Sequence, residues 1–325
     1  MLARIAEALY WTARDIERAA GVARTVEIGH ACSLEGPSQN GAGRTHVWEP
    51  VLRIAADWDE FIVRHRRADE RSVPWYLTLS ETNPQNVVAC LARARQRLRA
   101  IRSRLPSELF EMVASGDILG QAWSSQRLAR EGLFSFCHQV RGHVAIVDGI
   151  VDRTVRRDEY WQFLRIGRHL ERATQVTRTV AVHAALAETP EGGRAGLGDW
   201  RTLLKLGSSY EAYLRVGLPN AADPGPMAFL LGDRASPSSV TSCLTEVGDG
   251  LAALSAEHSG LTVGAERAVE AALELAGRLP VSQQNLGALS AALDDVHDGV
   301  CAVFLPTMEF ADGPIHAQAI RQAQN

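Results

Sequence analysis

The chain has 325 residues, 46% of them hydrophobic, enough to bury one large core or two smaller ones. Its net charge of −4 gives no general attraction to nucleic acid or an anionic membrane. Lys205 is the single lysine, so Schiff-base or lysine-base chemistry would fall on that residue alone.

The first segment, "MLARIAEALYW", carries charges and lacks the apolar core of a signal peptide. Leu2, Ile5, Leu9, Ile16, Ala20 and Ala23 then recur at helical spacing and predict a helix over 1–29. The Gly-rich stretch 32–46 reads as an exposed loop. Next comes "WEPVLRIA", and then "NPQNVVACLARARQRLRAIRSRL" with an i, i+3, i+7 seam from Leu91 to Leu105. Asn83 is expected to cap that helix, with Pro84 at its first position. A long helix over 121–152 leads into another over 158–187, with Asp158 as its N-cap. A second Gly-rich loop follows over 187–199. No run has the period of two that marks a strand, so the fold is expected to be all-α, a bundle of long helices.

The chain repeats itself. Arg14, Glu17, Arg18, Ala19, Val22, Arg24, Thr25 and Val26 match Arg168, Glu171, Arg172, Ala173, Val176, Arg178, Thr179 and Val180. Trp48, Leu52, Trp58 and Phe61 match Trp200, Leu204, Tyr210 and Tyr213, and "NPQNVVACL" matches "SPSSVTSCL". Three matches in one order, at offsets of 152–154 residues, predict a duplicated helical bundle. Its two pseudo-twofold-related repeats, 1–153 and 154–325, should pack as one body.

The repeated charges are the candidate site. Arg14, Glu17, Arg18, Arg168, Glu171 and Arg172 lie away from the apolar stripes of their helices. Three readings stay open. They form a solvated face with i, i+3 ion pairs. They form a salt-bridge lattice between the two helices, Glu17 meeting Arg172 and Glu171 meeting Arg18. Or they line a basic pocket for carboxylate or phosphate. The motif is expected to converge as one cluster. Tyr10, Trp11 and Trp161 would be walls of such a pocket, with Arg157 and Asp158 beside it.

Other signals are weaker. The "DDVHDG" run (Asp294, Asp295, His297, Asp298) reads as an acidic surface, since no paired Glu-x-x-His supports a metal site. Cys137 and His138 are sequence neighbours and diverge on a helix, so they are no nucleophile–base pair. The five cysteines are scattered, with no CxxC, which suits a reducing cytoplasm. No cofactor motif, nucleic-acid signature or membrane span is expected.

"MLARIAEALYWTARDIERA" and "RRDEYWQFLRIGRHLERA" resemble the two signature helices of the bacterial alpha-E family, and the resemblance extends over most of the chain. The first copy departs at Ala13, where Gly is usual, and the second at Glu159-Tyr160 before Trp161. The resemblance implies an all-helical protein encoded beside, or fused to, two partners: a circularly permuted ATP-grasp-like ligase and a transglutaminase-like protein. That setting implies an accessory or binding component of peptide or amide-bond metabolism, holding an anionic peptide or phosphorylated intermediate. The alternatives are an enzyme using the Glu-Arg motif and a purely structural scaffold.

Overall fold

The computed structural model describes residues 3–35, 47–65, 67–188, 196–216, 225–257, 262–278 and 280–305. Among them are fifteen α-helices, two short 3-10 turns and no strand. The first half holds α1 (Ala3–Glu35), α2 (Trp48–Ala55), α3 (Trp58–Arg64), α4 (Ser72–Thr78), α5 (Val87–Ala100), α6 (Ser107–Gln121), α7 (Ser125–Glu131) and α8 (Leu133–Thr154). The second holds α9 (Glu159–Ala187), α10 (Trp200–Leu206), α11 (Tyr210–Val216), α12 (Gly225–Gly232), α13 (Val240–Glu257), α14 (Val263–Ala276) and α15 (Gln283–Phe304).

Helices α1 and α9 pack along their length and form the centre of the molecule. They run parallel: Tyr10 meets Gly167, Glu17 meets Arg172 and Gly21 meets Gln175, in ascending order on both. Gly167 sets the closest approach. A Cβ there would lie 2.4 Å from the Tyr10 carbonyl oxygen, so only glycine fits. Ala13, where the first copy departs from glycine, has its Cβ 3.2 Å from that same point.

Around α1 pack α5 and α8, with α6 between them; around α9 pack α13 and α15, with α14 between them. The apolar stripes explain this. Ala94 and Leu98 of α5, with Val144 and Val147 of α8, are buried with Leu9 and Ile16 of α1 in one core. Val247 and Leu251 of α13, with Leu293 and Val296 of α15, join Ile166 and Leu170 of α9 in that core. Helices α2 and α10 each touch both central helices. Trp48, Val51 and Leu52 of α2 are fully buried, as are Leu203 and Leu204 of α10.

Three local expectations need correction. Residues 32–35 belong to α1 rather than to a loop; Cys32 is buried and extends the apolar side of the helix, and 36–46 lie outside the described residues. The expected long helix over 121–152 is broken twice, by the Ser124 N-cap of α7 and by Gly132 at φ 88°, a conformation that favours glycine. The cap of α5 is Asn86, which accepts from the Ala89 N–H, not Asn83. Asn83 and Pro84 instead build the preceding turn, where Asn83 accepts from the Gln85 N–H. In the matching segment, where Ser236 and Pro237 stand at the places of Asn83 and Pro84, the cap likewise lies three residues on, with Ser239 accepting from the Ser242 N–H. In the first segment the Asn83 side chain, three places upstream of the cap, forms a competing turn that displaces the helix start.

Candidate functional site

The Glu-Arg residues meet across the α1–α9 seam. Arg172 donates to Glu17 through Nε at 2.7 Å and Nη2 at 2.8 Å. Arg18 donates to Glu171 through Nε at 2.9 Å and Nη2 at 3.0 Å. Each glutamate is thus held by a fork from the other helix. Glu171 also accepts from Arg14 Nε at 2.8 Å and Gln175 Nε2 at 3.2 Å. Arg14 and Glu171 are 1% and 0% exposed, so the solvated-face reading fails for them.

Burial alone would raise the Glu171 carboxyl, but the Arg18 and Arg14 guanidiniums outweigh it and hold the group well below the usual carboxylate range. The carboxylate in turn raises Arg18 against its own burial. These charges are fixed and mutually satisfied.

Arg168 does not join the network. It turns to Asp148 of α8 at 3.3 Å and approaches His169 at 3.4 Å. Its counterpart Arg14 goes inward because a second polar group receives it there: Arg14 Nη1 donates to the Tyr10 hydroxyl at 3.0 Å and contacts His297 Nδ1 of α15 at 3.1 Å. The Tyr10 hydroxyl lies 2.7 Å from the same His297 nitrogen. Burial and the Arg14 charge push His297 down to about 3, so it is neutral at physiological pH. With two donors facing Nδ1, the network assigns the proton to Nε2.

The other sequence candidates separate. Trp11 sits edge-on to His297 with ring centroids 5.4 Å apart and lines the main cavity, whereas Tyr10 is fully buried behind it. Arg157, Asp158 and Trp161 lie outside the cluster. Asp158 is the N-cap of α9, accepting from the Tyr160 N–H. Arg157 is exposed, with its guanidinium 4.2 Å from the Trp161 ring centroid. Trp161 lines only a minor crevice of about 20 Å³ beside Arg165 and Arg168.

A cavity of about 230 Å³ opens beside the α1–α9 seam. Its lining draws matched residues from both halves: Arg18 and Arg172, Gly21 and Gln175, Val22 and Val176, Arg24 and Arg178, Thr25 and Thr179, Gln85 and Ser238. Ala56 and Ser208, at the ends of α2 and α10, face it too. They are the two non-glycine residues with positive φ among the described residues, at 63° and 55°. Such strained backbone gathers where a site must be shaped.

Arg24 and Arg178 differ from the motif arginines. Arg178 is 6% exposed; its polar contact is Nη1 to the Ile54 carbonyl at 3.4 Å, and its buried Nε has no hydrogen-bond partner. Arg24 makes no hydrogen bond or ion pair among the described residues. Burial pushes each down to about 10, leaving both charged at neutral pH. The repeat had marked both positions, but only packing reveals that their charges lack partners.

The third wall comes from α15, where the acidic-surface reading of "DDVHDG" holds for the exposed Asp295 and Asp298 but not for the half-buried Asp294 and His297. Asp294, His297 and Asp298 line the cavity because α15 packs against α1 and α9. Burial raises Asp294 to about 6, and on another wall Asp57 likewise. Asp57 accepts from Asn83 Nδ2 at 3.0 Å. Among the described residues no cluster of His, Cys, Asp and Glu is arranged to hold a metal ion, and no helix is long and apolar enough to cross a membrane.

No curated protein and no solved structure matches the chain. A family described as a predicted alpha-helical domain with a conserved ER motif matches residues 1–303. The Glu-Arg pairs at 17–18 and 171–172 fit that description, as does the helical architecture built around them. The chain belongs to the Alpha-E family.

Proposed function

We propose that the protein is a binding component rather than a catalyst, and that it holds an anionic group in the cavity beside the Glu-Arg network. The observation that carries this reading is Arg178: a guanidinium inside the cavity wall, 6% exposed, whose Nε has no partner. A buried guanidinium with an unmade hydrogen bond and no direct ion pair is costly, and a bound carboxylate or phosphate offsets that cost. Arg24 adds, from the matched position, a second guanidinium without a hydrogen bond or ion pair among the described residues. The motif forks brace the walls. A purely structural role explains the forks but leaves Arg24 and Arg178 without a purpose.

Catalysis by the motif glutamates draws little support: Glu17 is held by both bonds of the Arg172 fork. A carboxylate held as low as Glu171 is a poor general base near neutrality.

We further propose two repeats, 1–153 and 154–325, related by a pseudo-twofold along the α1–α9 seam. Matched flanking helices and matched cavity residues support this. On the family resemblance, the anionic group belongs to a peptide or phosphorylated intermediate handled with an ATP-grasp-like ligase and a transglutaminase-like protein in a bacterial cytoplasm. The direct test is affinity purification of the chain from its native cell, with mass spectrometry of retained proteins and small molecules. Retention of an ATP-dependent ligase, lost in an Arg24→Gln, Arg178→Gln variant, is the expected result. Retention of neither ligase nor anion by the natural chain contradicts it.

A further inference from the structure

The cavity holds unpaired charges of both signs. Arg24 and Arg178 present positive charge without ion-pair partners. The half-buried Asp294 and the exposed Asp298, one helical turn apart on α15, line the same space and make no ion pair or hydrogen bond among the described residues. Nothing else on α15 neutralises them: Asp295 adds like charge, and neutral His297 is occupied at Nδ1 by Tyr10 and Arg14. Arg14 and Arg178 act on Asp294 through space, but neither Arg24 nor Arg178 forms a direct ion pair with the α15 carboxylates among the described residues.

We infer that the ligand is a small zwitterion, a free amino acid or short peptide, with its carboxylate on Arg178 and Arg24 and its ammonium on Asp294 and Asp298. This rests on the anion-binding reading of the cavity and narrows it. A plain anion would meet the guanidiniums but be repelled by two facing carboxylates, at a cost that a ligand ammonium removes. A phosphate ester without an amine has that same defect. Size agrees. About 230 Å³ lies below the roughly 300–1,000 Å³ of sites for drug-sized ligands, which suits one or two residues rather than a long peptide. The matched wall of the first half is different: Val144 and Val147 of α8 are buried in the core, and Asp148 is taken by Arg168. Of the other cavity carboxylates, Glu17 is held by Arg172 and Asp57 accepts from Asn83, so the unpartnered acidic wall is one-sided and the ligand has a single orientation.

The test is titration calorimetry on the full chain with four probe sets. They are the free L-amino acids with a panel of dipeptides, the same compounds N-acetylated, the same compounds C-amidated, and inorganic phosphate. The expected result is at least one free compound that binds tenfold or more tighter than both its acetylated and amidated forms and than phosphate. Asp294→Asn should lower the affinity for that free compound about tenfold and leave the acetylated form unchanged. Asp298→Asn serves as the second variant should the first fail to fold. If the acetylated forms or phosphate bind as tightly as the free compounds, the zwitterion is overturned and the anion reading stands. If the amidated forms bind as tightly, or nothing binds, both fall.

Discussion

Arg172 and Glu17 share two hydrogen bonds of 2.7 and 2.8 Å across the parallel pair of central helices. Arg18 and Glu171 repeat the arrangement from the other side at 2.9 and 3.0 Å. Helices that cross at a glycine bring their backbones close enough for such short forks, and the forks then hold the register.

Removing one partner should expose the asymmetry of buried ion pairs. Glu171→Gln leaves Arg14, 1% exposed, and Arg18 facing a neutral amide, and should cost about 3–5 kcal/mol. Chemical denaturation at pH 7 measures it. A loss below about 1 kcal/mol would mean that the network contributes little.

The same carboxyl predicts acid sensitivity. Glu171 is held below its unfolded value of 4.5, so its contribution is fully present above that value and declines as pH falls through the folded one. Asp294 runs the other way. Its folded value of about 6 exceeds its unfolded 3.8, so its contribution is full below about 3.8 and lost as pH rises through about 6. Asp294→Asn should therefore stabilise the ligand-free protein above pH 7 and do nothing near pH 3.8, whereas Glu171→Gln should destabilise most above pH 5. Melting curves of the three proteins across pH 4–8 read both signs.

Gly167→Ala should destabilise by about 1–3 kcal/mol, because its Cβ would meet the Tyr10 carbonyl at 2.4 Å and force the central helices apart. Gly142→Ala is the control: it lies within α8 with nothing within 4 Å, and should gain about 0.5–1 kcal/mol. Equal effects at the two sites would contradict the close approach.

Much of this was legible in the sequence, for identifiable reasons. The helical period of Leu9, Ile16 and their neighbours reports directly on burial. The repeated Arg-x-x-Glu-Arg foretold that Glu17 would meet Arg172. Less legible was the difference between Arg14 and Arg168. They occupy matched positions, but Arg14 finds Tyr10 and His297 whereas Arg168 finds Asp148, and those partners lie on helices distant in sequence. Arg24 and Arg178 were visible as matched residues, yet a charge without a partner is a property of packing. The α15 wall gave no signal because "DDVHDG" has the composition of a solvated face, and it lines a cavity only through the placement of α15 against α1 and α9.

Brace and binding site should separate by mutation. Arg178→Met removes a buried, uncompensated charge and keeps most of the side-chain volume, so the ligand-free protein should be as stable as the natural one or more so. Thermal unfolding checks this. A loss comparable to that of Glu171→Gln would place Arg178 in the brace.

The most direct measurement is the affinity of the natural chain, Arg178→Met and Glu171→Gln for the tightest compound from the calorimetric screen, with unfolding free energies measured on the same samples. The account predicts that Arg178→Met loses tenfold or more in affinity at undiminished stability, while Glu171→Gln loses stability first. Undiminished binding by a folded Arg178→Met would contradict it.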